Sequence, residues 1–133
     1  MKFSRKTDYG IILLKALAPS FVKRDFYSVS RISEIHRLPA AFTEKLAVKL
    51  SQVGFLEARR GVQGGYRLVK DPKKITLREI IDVFEEPPMM RCMQSSHPEK
   101  LCPLVSVCPA HKTWAEVDKK VNKIFKKITL AGL

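Results

Sequence analysis

Three cysteines and one histidine fall within twenty residues, spaced Cys92-x9-Cys102-x5-Cys108-x2-His111. Thiolates and imidazole are metal ligands, and this set can build a Cys3His zinc site. Thiolates also hold iron–sulfur clusters. No Cys-x-x-Cys pair is present, which argues against a zinc ribbon or finger. The wide gaps suit a bulky cluster better than a compact ion, but spacing alone leaves zinc and cluster nearly level. A metal-free thiol–disulfide sensor is a third option, which leaves one Cys unpaired. The segment has no apolar periodicity, so these are not core cysteines.

A second constellation is electrostatic. Of 133 residues, 25 are Lys or Arg and 13 are Asp or Glu, a net charge of +12. Residues 1–75 hold 16 Lys/Arg against 6 Asp/Glu, whereas residues 76–133 hold 9 against 7. Such an excess points to a polyanionic partner and places its site in the first part of the chain. The apolar share of 45% is that of a folded domain. The apolar run 10–14 is soon broken by Lys15, so no membrane span is expected. No secretory signal is read at the N-terminus, and three Cys do not make a secreted disulfide scaffold. A cytoplasmic setting is the expectation.

The elements that must position these groups are mostly helical. Tyr9, Ile12, Leu13, Ala16 and Leu17 share one helical face, with Thr7 or Asp8 as the cap and Pro19 as the stop. Ser28 or Ser30 opens a short helix that ends at Arg37-Leu38-Pro39. A second helix follows at once, with Phe42, Leu46, Leu50 and Val53 as its buried stripe and Gly54 after it. Two short helices joined by a tight turn form a helix-turn-helix. The outward face of the second helix shows Ala40, Ala41, Glu44, Lys45 and Lys49. The period then changes to two. Residues 55–60 and 66–69 read as strands around Gly61-Val62-Gln63-Gly64-Gly65. Arg59, Arg60 and Arg67 make that hairpin basic. Its glycines lack phosphate-loop context and serve a turn, although Gly64 also lies at the expected DNA surface.

Thr76-Leu77-Arg78-Glu79 is a capping box for a further helix over Leu77, Ile80, Ile81 and Phe84, stopped by Glu85-Glu86-Pro87-Pro88. The last helix is expected from about His111 to Thr129. Its residues Trp114, Val117, Val121, Ile124 and Ile128 are spaced 3, 4, 3, 4, a heptad seam on an otherwise charged helix. That seam reads as the interface of a homodimer. The expected fold is therefore mainly α with a small β-hairpin wing: a winged helix-turn-helix over residues 1–88, a cysteine-bearing loop over 89–110, and a long dimerisation helix over 111–133.

The run from Val29 to Tyr66, with Arg60-Gly61-Val62-Gln63-Gly64-Gly65-Tyr66 at its end, resembles the IscR/NsrR-type family of bacterial winged-helix transcription factors. Thr7-Asp8-Tyr9-Gly10 and the three Cys ahead of a long final helix extend the resemblance over nearly the whole chain. The resemblance implies a [2Fe–2S] or [4Fe–4S] cluster on Cys92, Cys102 and Cys108, and a homodimer through the last helix. It also implies that cluster state controls DNA affinity. His111 matches the pattern in which a His completes the ligand set, and Asp8 matches the pattern in which an Asp is donated across the dimer. Two departures are visible. The gap of nine between the first two Cys is longer than the family usually shows, and Pro39-Ala40-Ala41 replaces the common Ser/Glu start of the reading helix. Cluster type and base preference are not carried over.

The expected function is a transcriptional regulator, acting as a repressor on double-stranded operator DNA under the control of an iron–sulfur cluster that senses redox state, nitric oxide or iron–sulfur status. A zinc-stabilised or thiol-redox nucleic-acid-binding protein is the alternative, and an iron–sulfur electron carrier comes after it. No enzymatic constellation is found around His36, His97 or His111.

Overall fold

A computed structural model describes residues 2–86, 90–93 and 95–133. The elements run α1 (Arg5–Lys23), α2 (Val29–His36), α3 (Ala40–Gln52), β1 (Leu56–Arg59), β2 (Gly65–Leu68), α4 (Leu77–Phe84) and α5 (His111–Lys127). Single 3-10 turns occur at Arg91–Met93, Pro98–Lys100 and Leu130–Gly132. The stop read at Pro87-Pro88 and the boundary drawn between 88 and 89 fall outside the described residues.

Helix α1 is the spine of the core. Leu13, Leu14 and Leu17 are fully buried, and α1 packs against α2, α3, β2 and α4. The small residues Thr7, Gly10 and Ser20 are buried on the same face. The sequence stripe named Tyr9, Ile12 and Ala16 instead, and these are only half-buried. Small residues thus sit among the leucines on this strip, and at Gly10 a neighbouring ring comes close enough to exclude a side chain.

Two end signals for α1 are corrected. The cap is neither Thr7 nor Asp8; the helix starts after Ser4, and Ser4 makes no capping bond with its own side chain. The capping group comes instead from Glu85, the residue just past α4. Glu85 Oε1 accepts from the Ser4 backbone N–H at 2.7 Å, from the Ser4 hydroxyl at 2.8 Å, and from the Thr7 hydroxyl. A carboxylate at a helix N-terminus satisfies orphan donors and complements the helix dipole. Pro19 does not end α1 either. It is accommodated inside the helix, which closes on Arg24 in the left-handed region.

Helices α2 and α3 follow the sequence reading closely. The Ser28 side chain accepts from the Arg31 N–H at the start of α2. Pro39 stands just before α3, and Leu46 and Leu50 are buried. Val53 is not part of the buried stripe: it is 49% exposed, and Thr43 and Ala47 take the inner positions. Strands β1 and β2 pair antiparallel with Leu56 opposite Leu68 and Arg59 opposite Gly65. Tyr27 adds a third rung, because its N–H and C=O bond Tyr66 at 2.8 and 2.9 Å.

The Thr76 capping box forms as expected. Ile80, Ile81 and Phe84 are buried. Phe84 meets α1 where Gly10 leaves room: a Cβ at Gly10 would lie 2.2 Å from the Phe84 ring. Helix α5 ends at Lys127, so Ile128 lies beyond it. The chain then pairs with the start of α4, Leu77 N–H donating to the Ile128 carbonyl at 2.8 Å, and Leu130 is fully buried.

Two outcomes follow from the α1–α4 contact. Gly10→Ala gains about 1 kcal/mol of helix propensity but overpacks a closed core at a cost of about 1–3 kcal/mol. It is expected to lower the urea midpoint, and the loss should shrink in a Phe84→Leu background; an equal loss in both would break the argument. Burial raises the Glu85 carboxyl pKa, but bonds from Thr7 and Ser4 and the charge of Lys6 outweigh this and leave it below its ordinary value of 4.5. Its contribution is therefore complete above pH 4.5 and is lost as pH falls through the depressed value. Glu85→Gln should melt below wild type at neutral pH by about 1 kcal/mol, with the gap closing in acid. Circular-dichroism melts across pH check this, and a gap that persists in acid would contradict it.

Candidate nucleic-acid interface and cysteine loop

The turn between α2 and α3 presents the N-terminal half of α3 outward. Ala40, Ala41, Glu44, Lys45 and Lys49 are all exposed. Two small residues at the helix start allow another backbone to come close, and two lysines add positive charge along the same surface. The Lys49 ammonium lies 5.9 Å from the centre of the Phe84 ring, a cation–π approach toward α4.

The wing stands beside α3. Between them is a cleft of about 530 Å³, lined among others by Ser28, Glu44, Ser51, Arg59, Arg60 and Gly64. Of the sequence-predicted residues, Glu44 of the helix and Arg59, Arg60 and Gly64 of the wing line this concavity, whereas Ala40, Ala41, Lys45, Lys49 and Arg67 lie outside its lining. The arginines differ in what they do there. Arg59 and Arg67 both stack on the Phe26 ring, at 4.5 and 5.1 Å from its centre. Arg67 is further engaged by Glu57 and by the Arg24 carbonyl. Arg60 is exposed and makes no ion pair among the described residues. Gly64 has a structural reason: a Cβ there would lie 2.3 Å from the Arg59 carbonyl oxygen. Gly65 has φ +147° and would push a Cβ to 2.2 Å from the Tyr27 carbonyl.

Sequence reasoning missed three residues of this surface. Phe26 lay in a segment that read as a polar connector, and its arginines are more than thirty positions away. Tyr27 carried no sign of a third rung. Tyr66 read only as a strand residue, yet its hydroxyl donates to Glu44 Oε1 at 2.9 Å across the cleft. Burial first, then the Glu44 bond and charge, push the Tyr66 phenol up to about 12, so it remains a donor.

Cys92 lies in the first 3-10 turn, Cys102 just after the second, and Cys108 three residues before α5. All three are free and half-buried. The Cys102 N–H donates to the Pro98 carbonyl at 2.9 Å, and the Cys108 carbonyl accepts from the His111 N–H at 3.4 Å. The buried Nδ1 of His111 has no hydrogen-bond partner among the described residues. Such an atom is costly unless something binds it. Among the described residues, however, no three His, Cys, Asp or Glu groups lie close enough to hold a metal ion. Asp8 is exposed in the first turn of α1.

The seam on α5 is divided. Val117 and Val121 are half-buried, whereas Trp114 and Ile124 are 41% and 56% exposed. The helix leans on its own α4 through the neighbouring face, where Arg78 donates to Asn122 Oδ1 at 2.7 Å, and Phe125 meets Phe3 of the N-terminal segment edge-on. No described helix is long and apolar enough to cross a membrane.

Comparison with known proteins agrees with this architecture. Residues 3–133 match the Rrf2 family model, described as an iron-dependent transcriptional regulator. The chain is 27% identical to the transcriptional regulator NsrR of Bacillus subtilis, over 100% of this chain and 90% of that protein. The IscR structure of T. potens superposes with a TM-score of 0.75 at 27% identity, covering 99% of this chain and 85% of the other. The structure of CymR, the global cysteine regulator of B. subtilis, gives 0.76 at 25% identity, with 99% and 95% covered. The match spans nearly every residue and includes helix-turn-helix, wing and final helix, so the chain belongs to the Rrf2 family of transcriptional regulators.

Proposed function

We propose that this Rrf2-family regulator binds a double-stranded operator as a cytoplasmic homodimer, as a repressor, and that an iron–sulfur cluster on Cys92, Cys102 and Cys108 controls the binding. His111, or Asp8 of the partner subunit, completes the ligand set. The observation that carries the reading is the donor set itself: three unbridged thiols in one loop and an imidazole whose buried Nδ1 has no partner among the described residues. That chemistry fits a thiolate-held cluster of either type, [2Fe–2S] or [4Fe–4S]. When bound, such a group supplies a centre that changes charge with redox state and is open to attack at its weakest ligand.

The chain's own residues do the rest. Ala40 and Ala41 let α3 approach the major groove, where Glu44 and Lys45 reach base edges. Lys49 contacts phosphate and releases counterions. Arg60 extends from the wing toward the minor groove, with Arg59 and Arg67 adding charge beside it. Trp114, Val117, Val121, Ile124 and Ile128 form the contact between subunits, supported by the exposure of Trp114 and Ile124. The cysteines are not gathered in the described geometry. Bringing them together requires the loop to draw in, which moves the start of α5 and changes the spacing of the two reading helices.

Protein purified without oxygen should be brown, with an iron–sulfur Mössbauer signature. A colourless zinc protein would sink the cluster and favour the zinc-stabilised alternative. Cys92→Ala, Cys102→Ala and Cys108→Ala should each lose the visible absorption and shift operator affinity by about tenfold or more, within the usual range of coupling free energies. Three variants that bind DNA like the reconstituted wild type would rule out cluster control. Lys49→Ala should weaken binding alike on all sequences and lower the salt slope by about one; a loss confined to one base pair would contradict a phosphate contact.

A further inference from the structure

The bond between wing and reading helix points to a role for Tyr66 that rests on the DNA-binding reading above. Glu44 is exposed on α3 and lines the cleft shared with Arg60. A glutamate on a helix surface has several rotatable bonds and reads a base poorly unless it is held. Tyr66 is built to hold it. Its side chain is largely buried, at 9% exposure. Its backbone is fixed from both sides, by Ala58 of β1 and by the reciprocal bonds to Tyr27. Gly65 keeps the chain close enough for those bonds, since any side chain there would strike the Tyr27 carbonyl. The phenol donates to Glu44 Oε1 at 2.9 Å. Among the described residues, Oε2 accepts no bond.

We infer that Tyr66 is a positioning residue for base reading: its hydroxyl fixes one oxygen of Glu44 and leaves the other to accept the exocyclic amine of a cytosine in the major groove. Carboxylates pair with that amine, and they repel the acceptor edges that guanine and thymine present. A fixed carboxylate therefore selects by attraction at one base and by repulsion at others. The phenol stays protonated throughout the physiological range and so remains a donor.

The test enriches a randomised double-stranded DNA pool on the full chain, then measures Kd for the enriched duplex and its single-base-pair variants. Wild type is expected to prefer cytosine at one position in each half-site. Glu44→Gln, an exposed change that spares the core, should exchange that preference for adenine, because an amide pairs with adenine. Tyr66→Phe keeps the ring and should cut discrimination at the same position by about three- to tenfold, with a small added effect in a Glu44→Ala background, which leaves the phenol no acceptor. Wild-type discrimination by Tyr66→Phe at the position that Glu44→Gln alters would overturn the inference. So would equal weakening on every duplex, which a purely structural role produces. Failure of the wild type to enrich any sequence would overturn the DNA-reading assignment itself, which separates the two failures.

Discussion

The close approach of α1 to the end of α4 governs the molecule. Gly10 admits the Phe84 ring, and one residue later the Glu85 carboxylate caps the first turn of α1. These contacts join the helix that carries the core to the element from which the cysteine loop departs. Nearly eighty residues separate the partners, so the cap forms only when the whole winged helix has closed. A local cap would have stabilised α1 alone. This one makes the start of α1 depend on tertiary structure, and it places Asp8 and the exit to the loop on neighbouring parts of the same junction.

The charge surplus is divided among unlike tasks. Arg67 and Arg59 are held over Phe26, and Arg67 is also neutralised by Glu57. They stiffen the wing as much as they charge it, because guanidinium packs flat on an aromatic face. Arg59 and Arg60 are the basic residues that line the cleft, and Lys45 and Lys49 are exposed on α3 outside its lining. Composition therefore overstates the charge available to a polyanion. Lys70 is spent on Glu79 of α4, and in the other half Arg78 pairs with Asp82 along that same helix.

The sequence was most legible where signals were local. The Thr76 capping box, the Ser28 cap, the change of period at the hairpin and the glycines of its turn are carried by adjacent residues, and each led to the right element. Signals failed where the deciding partner was distant. Thr7 looked like a cap because Glu85 could not be seen as one. Pro19 looked like a stop because a helix whose side chains are buried on one face can absorb a lost bond. Val53 fitted the apolar stripe, yet α3 ends as the stripe turns outward. The thiols were legible as chemistry but not as geometry: three residue types at wide spacing name a donor set, whereas their separation depends on loop segments that no periodicity governs. Tyr66 and Phe26 were invisible for a related reason, since an aromatic residue announces burial and not which polar group it meets.

The pairing of Ile128 and Thr129 with the start of α4, together with the buried Leu130, gives α5 a fulcrum at its C-terminal end. The opposite end, which carries His111, is the long arm. Seventeen residues of helix make that arm about 25 Å long. A tilt of about ten degrees would leave Ile128 almost still and carry the His111 end through about 4 Å. Small rearrangements among the cysteines therefore reach Trp114 little diminished and are damped at the anchored foot, so the same helix can transmit a strain from the loop while its junction with α4 stays intact.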